Sequence, residues 1–165
     1  MTPITVVVAG EPRDRVLWRR LLEPAGGISV VADVEAGQAA WAVVARLRPR
    51  VLLLDLRRPR LDVLAVLRRI RLGRPGTRVI LLTSRSTPIA LILEGLRRGA
   101  RGYLDRAALR AFLPKAVRAV DSGEAWVERR MVSRILDQLV RLGASGLSAG
   151  SPRSPHMAAR RSQAP

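Results

Sequence analysis

Short apolar runs alternate along the chain with longer segments in which apolar residues recur every three or four positions. Four or five consecutive apolar residues are too few for a helix and are typical of a strand buried on both faces. Recurrence at helical spacing is typical of an amphipathic helix that packs against such a sheet. The predicted strands are Ile4–Ala9, Ile28–Val34, Val51–Asp55, Arg78–Thr83 and a brief one around Tyr103-Leu104.

Five helices alternate with these strands, and glycine or proline marks most of the boundaries. The helices are predicted after Pro12 and over 36–47, 63–70, 89–98 and 109–120. Strands that alternate with helices predict a doubly wound α/β fold with right-handed crossovers. We therefore expect a five-stranded parallel sheet in the order 2-1-3-4-5, covered by helices on both faces as a flavodoxin-like three-layer sandwich.

Polar residues follow four of the predicted strands, namely Glu11, Asp55, Thr83 and Arg106. The carboxyl ends of parallel strands meet at one edge of the sheet, where such folds bind their ligands. Two carboxylates there can hold Mg2+, and Asp55 can act as a nucleophile that forms an acyl phosphate. Thr83 and Arg106 can then contact the phosphoryl oxygens. The plainer alternatives are that Asp55 caps the following loop and that Glu11 complements a helix dipole.

Residues 4–121 resemble a response-regulator receiver domain, which has a CheY-like fold. The segments that carry the resemblance are Val51–Asp55 with 56–59 and Asp62, then Leu81-Leu82-Thr83-Ser84, then Arg98-Gly99-Ala100-Arg101-Gly102-Tyr103-Leu104. The resemblance implies that Asp55 is the phosphoacceptor, that Thr83 and Tyr103 are the switch residues, and that the backbone carbonyl of Arg57 is a metal ligand. It also implies a histidine kinase or phosphotransfer protein as the phosphoryl donor in a two-component system.

Three positions depart from the pattern of that family. Gly10-Glu11 stands where two adjacent acidic residues are expected, so we expect weak Mg2+ binding that Gly10→Asp would restore. Arg106 stands near the position of a lysine, and its planar guanidinium is not equivalent to an ammonium point charge; its neighbour Asp105 could also pair with it. Val63 replaces a glycine and is expected to stiffen the loop after Asp62.

These departures leave two functional hypotheses open. The first is a signalling domain that accepts a phosphoryl group on Asp55 and is linked to transcription regulation. The second is a pseudo-receiver that uses the same fold as a protein-interaction or ligand-binding module without phosphorylation. An independent enzyme is not expected, because the only histidine, His156, lies outside the predicted folded region.

The chain is predicted to contain a receiver-like domain at 1–121, a linker and amphipathic helix at 122–142, and a disordered basic tail at 143–165. The linker resembles that of NarL/FixJ-like regulators, but no helix-turn-helix domain is found after it. Apolar residues recur along the helix at 131, 135 and 139 and at 132, 136 and 140. This stripe must be buried, and a homodimer is favoured modestly over packing against the receiver.

Composition adds a strong positive charge, since 30 Lys and Arg stand against 13 Asp and Glu for a net charge of +17. Such a charge can attract DNA, but the arginines are scattered and aromatic residues make up only 3% of the chain. The charge is therefore interpreted mainly as arginine-rich helix surfaces, with DNA contacted through the basic tail or an effector domain. The chain has no cysteine, signal peptide or apolar run that could span a membrane, so a cytoplasmic protein is expected.

Overall fold

The computed structural model describes residues 1–57, 60–73 and 75–147. Five parallel strands form one sheet in the order β2-β1-β3-β4-β5, which confirms the predicted topology. The strands are β1 (Ile4–Ala9), β2 (Ile28–Val34), β3 (Val51–Asp55), β4 (Arg78–Thr83) and β5 (Gly102–Asp105). All five residues of β3 are buried, as expected for the central strand of a sheet that is covered on both faces.

The described residues form six α-helices, and α3 begins earlier than its apolar pattern indicated. They are α1 (Pro12–Leu22), α2 (Gln38–Leu47), α3 (Arg60–Gly73), α4 (Ile89–Arg97), α5 (Leu109–Asp121) and α6 (Arg129–Leu147). Val63 was expected to stiffen a loop, but it lies buried inside α3. Its side chain therefore contributes to the hydrophobic core, and the loop between β3 and α3 ends before it.

One hydrophobic core lies on the face of the sheet that carries α1 and α5. Alternate residues of the central strands, such as Val51 and Leu53, contribute to it together with Trp18, Leu113 and Val117. Because side chains alternate between the two faces of a strand, Asp55 continues the row of Val51 and Leu53. The carboxylate of Asp55 therefore emerges on the α1 and α5 side, just beyond the apolar core.

The sheet changes its winding direction between its two central strands. β1 pairs with both β2 and β3, and the chain leaves β1 toward β2 but leaves β3 toward β4. The loops after β1 and β3 consequently diverge and leave a crevice at the carboxyl edge of the sheet. Gly10 and Asp55 flank this crevice, because Ala9 pairs with Leu54 in the ladder.

The chain divides into two compact units, one at 1–128 and one that begins at Arg129. The first unit extends beyond the predicted boundary at residue 121, because the segment 122–128 pairs with β5. The N–H of Tyr103 donates to the carbonyl of Trp126 (3.0 Å), and the N–H of Trp126 donates to the carbonyl of Arg101 (3.1 Å). The segment is thus part of the receiver-like unit, not only a linker.

The second unit contains α6, which continues to Leu147. The first residues of the predicted disordered tail are therefore helical, and the rest of that tail lies outside the described residues. Five large apolar side chains of α6 are exposed, namely Val132, Leu136, Leu139, Val140 and Leu142. Within the described ranges, none of the helices combines the length and apolar character that a membrane span requires.

Candidate phosphoacceptor site

Asp55 is a buried carboxylate at the edge of the sheet, with only 3% of the residue exposed. Its Oδ1 accepts a hydrogen bond of 3.0 Å from the backbone N–H of Arg57. A buried carboxylate is costly unless donors or cations compensate its charge. The turn after β3 supplies the first of these donors because it brings the backbone of Arg57 back toward the strand end.

Arg106 supplies the nearest cation, with its Nη2 lying 2.6 Å from Asp55 Oδ1. Asp105 does not pair with it; its carboxylate instead accepts the N–H of Ala107 (2.8 Å) and caps the short helical turn over Arg106–Ala108. The guanidinium of Arg106 also lies over the ring of Trp18, 5.5 Å from the centroid. Arg106 is thereby held between a carboxylate and an aromatic face, with 17% of its side chain exposed.

A second carboxylate, Asp14 in the first turn of α1, completes the site. Arg106 Nη1 lies 2.9 Å from Asp14 Oδ2, and Arg57 Nη2 also contacts Asp14 Oδ2. Arg57 reaches Asp55 as well, with Nε 3.4 Å from Oδ2. Each guanidinium therefore bridges both carboxylates, and we call Asp14, Asp55, Arg57 and Arg106 the Arg–Asp quartet.

Trp18 fills the space beside Gly10, where the resemblance called for an acidic side chain. A Cβ added to Gly10 would lie 2.6 Å from Trp18 Cη2 and 3.3 Å from the Cβ of Asp55. Real Cβ atoms do not approach other heavy atoms so closely, and Trp18 is completely buried. A side chain at Gly10 therefore requires the Trp18 ring to shift, and the expectation that Gly10→Asp would restore a metal site stays a prediction.

Glu11 follows Gly10 as the exposed residue before α1, and its side chain makes no capping hydrogen bond to the helix. Gly10 lies against Asp55, since a Cβ added to it would lie 3.3 Å from the Cβ of Asp55. Arg57 reaches the site through its N–H and its side chain. The metal-ligand roles assigned to Glu11 and to the Arg57 carbonyl stay predictions.

The divalent-cation site typical of receiver domains does not fit these residues. Mg2+ requires oxygen ligands in a near-octahedral arrangement, usually with one or two carboxylates. Across 1–57, 60–73 and 75–147, no three acidic, histidine or cysteine side chains cluster in a way that could hold a metal ion. The carboxylates of Asp14 and Asp55 are instead both engaged by guanidinium groups.

Thr83 and Tyr103, the two predicted switch residues, lie on neighbouring strands and are both buried. Thr83 ends β4, one residue after Leu82, which pairs with Asp55. Tyr103 lies on β5 and pairs with Leu81 of β4. The fold therefore brings Thr83 to the same edge of the sheet as Asp55, while the backbone of Tyr103 binds the 122–128 segment.

Sequence reasoning missed Asp14 and Trp18, although the sequence carries a signal for both. Asp14, Trp18 and Leu22 follow one another at intervals of four residues and so share one row of α1. Trp18 and Leu22 are fully buried, so Asp14 is a carboxylate on the apolar row of a helix. Such a residue requires a cationic partner, which is the role that Arg57 and Arg106 fill.

A doubly wound sheet with a buried aspartate at its switch point defines a receiver-like signalling domain. Residues 6–118 match the family model described as the response regulator receiver domain. The chain belongs to this family. Its members are signalling proteins of two-component systems rather than enzymes in the ordinary sense.

Several of the curated relatives are named as transcription regulators. The chain is 31% identical over 137 residues to the "Probable transcriptional regulatory protein NarL" of Mycobacterium tuberculosis, covering 81% of this chain and 62% of NarL. It is 31% identical over 108 residues to the transcriptional activator protein ExaE of Pseudomonas putida, covering 66% of this chain and 50% of ExaE. The chain thus spans less than two thirds of the length of these relatives.

Two solved receiver domains resemble the chain. The signal receiver domain of NarL from Mycobacterium tuberculosis superposes with a TM-score of 0.70 at 31% identity, covering 75% of this chain and all of that domain. The receiver domain of RcsB from Salmonella enterica serovar Typhimurium superposes with a TM-score of 0.68 at 26% identity, covering 81% of this chain and 98% of that domain.

Proposed function

We propose that this chain is the receiver of a two-component regulator and that Asp55 accepts a phosphoryl group from a histidine kinase or phosphotransfer protein. The observation that carries the proposal is the buried Asp55 carboxylate at the switch point, with Thr83 at the same edge and Arg106 against it. The relatives favour transcription regulation as the output. That output would place the protein in the cytoplasm, where it has access to DNA.

The two oxygens of Asp55 are held unequally, which favours one of them as the nucleophile. Oδ1 has the backbone N–H of Arg57 at 3.0 Å and Arg106 Nη2 at 2.6 Å. Among the described residues, the contact made by Oδ2 is the longer one of 3.4 Å with Arg57 Nε. Since 37% of the Arg57 side chain is exposed, a small movement of this side chain would open Oδ2 to a phosphoryl donor.

A phosphorylation-independent module is the second candidate, and the charge balance of the quartet favours it. Two carboxylates and two guanidinium groups already compensate one another, so the charge of the site is balanced without a ligand. In this alternative, the same fold would bind a partner protein while Asp55 remains an internal ion-pair acceptor.

Treatment with a small phosphodonor such as phosphoramidate, followed by intact mass measurement, separates the two candidates. We expect one phosphoryl adduct on the wild type and none on Asp55→Asn. Asp137→Asn on the exposed part of α6 is the matched control and should still form the adduct. Absence of an adduct from the wild type under all ionic conditions would favour the phosphorylation-independent module.

We also propose that the exposed apolar side chains of α6 support a homodimer. Three of these exposed residues have the spacing found along the seam of a coiled coil. Leu139 follows Val132 by seven residues, and Leu142 follows Leu139 by three. Contacts with DNA would come through an effector domain or through the basic residues near the carboxyl end. Light scattering of the full chain and of variants on this helix tests the dimer.

A further inference from the structure

We propose that Arg57 and Arg106 replace the divalent cation of the family, so that phosphoryl transfer to Asp55 proceeds without Mg2+. The inference rests on the proposed phosphoacceptor function and adds to it the means by which charge is neutralised. Its basis is the Arg–Asp quartet, in which guanidinium groups occupy the space between two carboxylates.

The electrostatics of the site favour this replacement. A carboxylate that attacks a phosphoryl group brings two negative charges together, and the site must compensate them in the transition state. Arg106 places separate nitrogens against Asp14 (2.9 Å) and Asp55 (2.6 Å), so one cation binds both carboxylates at once. Arg57 contacts the same two carboxylates, and together the two arginines supply the two positive charges of one divalent cation.

The packing around Gly10 also favours the replacement. Trp18 lies where a side chain on Gly10 would have to be, which removes the position of one acidic metal ligand. The same ring lies under the guanidinium of Arg106, 5.5 Å from its centroid. Trp18 therefore excludes an acidic ligand at position 10 and contacts the guanidinium of Arg106. The replacement of the metal by arginine thus depends on how α1 packs against the sheet.

The two arginines also supply the hydrogen-bond donors that a phosphoryl group needs. A guanidinium has five N–H groups in a planar fork that matches phosphoryl oxygens, and it stays charged at all accessible pH values. In the step itself, Asp55 Oδ2 forms a bond to phosphorus while the P–N bond of phosphoramidate breaks. The leaving nitrogen keeps the electron pair of that bond and departs with its protons as ammonia. Arg57 and Arg106 would then pair with the phosphoryl oxygens, while Asp14 keeps both guanidinium groups at the site.

The test compares the rate of adduct formation with phosphoramidate in EDTA and in Mg2+, read by intact mass of the full chain. We expect rates in the two conditions that agree within about twofold, a difference in barrier well under 1.36 kcal/mol. Heat denaturation with and without Mg2+ gives a second readout that does not depend on transfer. We expect the same midpoint in both, because Mg2+ finds no preformed set of ligands.

Variants show whether the arginines are the cause. Arg57→Ala and Arg106→Gln should each lower the rate in EDTA by about a hundredfold, the usual loss when one preorganised donor is removed. Arg46→Ala, an exposed arginine at the end of α2, removes the same charge elsewhere and should leave the rate unchanged. Arg106→Lys should restore part of the rate lost in Arg106→Gln, because it keeps the charge without the bridging fork.

The outcomes separate this inference from the function on which it rests. Adduct formation that requires Mg2+ would overturn the inference and leave Asp55 as the phosphoacceptor. No adduct in either condition would overturn both. An adduct in EDTA that persists unchanged in Arg57→Ala and Arg106→Gln would also overturn the assignment to these arginines.

Discussion

Gly10 and Trp18 show how one pair of residues decides what the site can hold. The absence of a side chain at Gly10 lets the Trp18 ring pack against the strand end, and the ring in turn lies beside Arg106. Substitutions at either position therefore affect both packing and charge. Neither residue can be understood from its own type alone, because each takes its role from the other.

Gly10→Asp should destabilise the protein and should not create a Mg2+ site. The new Cβ would lie 2.6 Å from Trp18 Cη2, and overpacking of this kind usually costs about 1–3 kcal/mol. Urea unfolding with and without Mg2+ measures both effects. Gly143→Asp on α6, where an added Cβ meets nothing within 4 Å, is the matched control and should unfold like the wild type. A gain of Mg2+-dependent stability in Gly10→Asp would contradict the prediction.

Asp14 and Arg106 should be energetically coupled. Both side chains are mostly buried, at 22% and 17% exposure, so their ion pair is screened less than a surface pair. A double-mutant cycle with Asp14→Asn and Arg106→Gln, followed by urea unfolding, should give a coupling free energy of about 1 kcal/mol. A coupling indistinguishable from zero would mean that the quartet contributes no cooperative stability.

At the scale of elements, the segment 122–128 acts as an extra edge for β5. Two backbone hydrogen bonds join Trp126 to Arg101 and Tyr103. The centroid of the Trp126 ring lies 6.1 Å from that of the Phe112 ring. Covering an edge strand satisfies backbone groups that would otherwise be open to pairing with other chains. The segment therefore stabilises the edge of the sheet that carries Tyr103.

Gly102→Ala should displace this segment and lower stability. A Cβ at Gly102 would collide with the carbonyl oxygen of Trp126, and backbone cannot shift without breaking the pairing. We expect a loss of about 1–3 kcal/mol in urea unfolding. Gly146→Ala, in open space on α6, is the control and should not lose stability. Unchanged unfolding of Gly102→Ala would show that the segment is not held in this way.

At the scale of the whole molecule, the net charge of +17 and the exposed apolar residues of α6 act in opposite directions on association. Like charges repel two copies, and salt screens that repulsion. Burial of an exposed leucine contributes about 1.5–3 kcal/mol before the costs of association. Dimerisation should therefore strengthen as ionic strength rises.

Light scattering of the full chain should show a dimer at high micromolar concentration. The double variant Leu136→Gln, Leu139→Gln should be monomeric, because it removes apolar area from α6 while keeping the charge. Arg134→Gln on the same helix is the control and should remain dimeric. A shorter chain that ends at Glu128 retains Trp126 but lacks α6, so it should also be a monomer. Monomers throughout would show that the homodimer proposal is wrong.

The sequence by itself determined the fold and the position of the central carboxylate. Apolar runs separated by helical patterns allow one kind of sheet, and chain order with right-handed crossovers limits its topology. The strand Val51–Asp55 ends on a carboxylate, so Asp55 had to lie at the carboxyl edge. These conclusions depend only on local periodicity and general rules of connection, which is why they could be drawn without coordinates.

Only the tertiary structure decided what surrounds Asp55. Arg57 and Asp14 are 43 residues apart in sequence, and their contact depends on the direction of two turns and on side-chain rotamers. The space beside Gly10 likewise depends on where α1 places the Trp18 ring. Sequence patterns determine which face of an element is buried, but they do not determine which side chains meet across elements. The Arg–Asp quartet around Asp55 is therefore a property of the packed molecule.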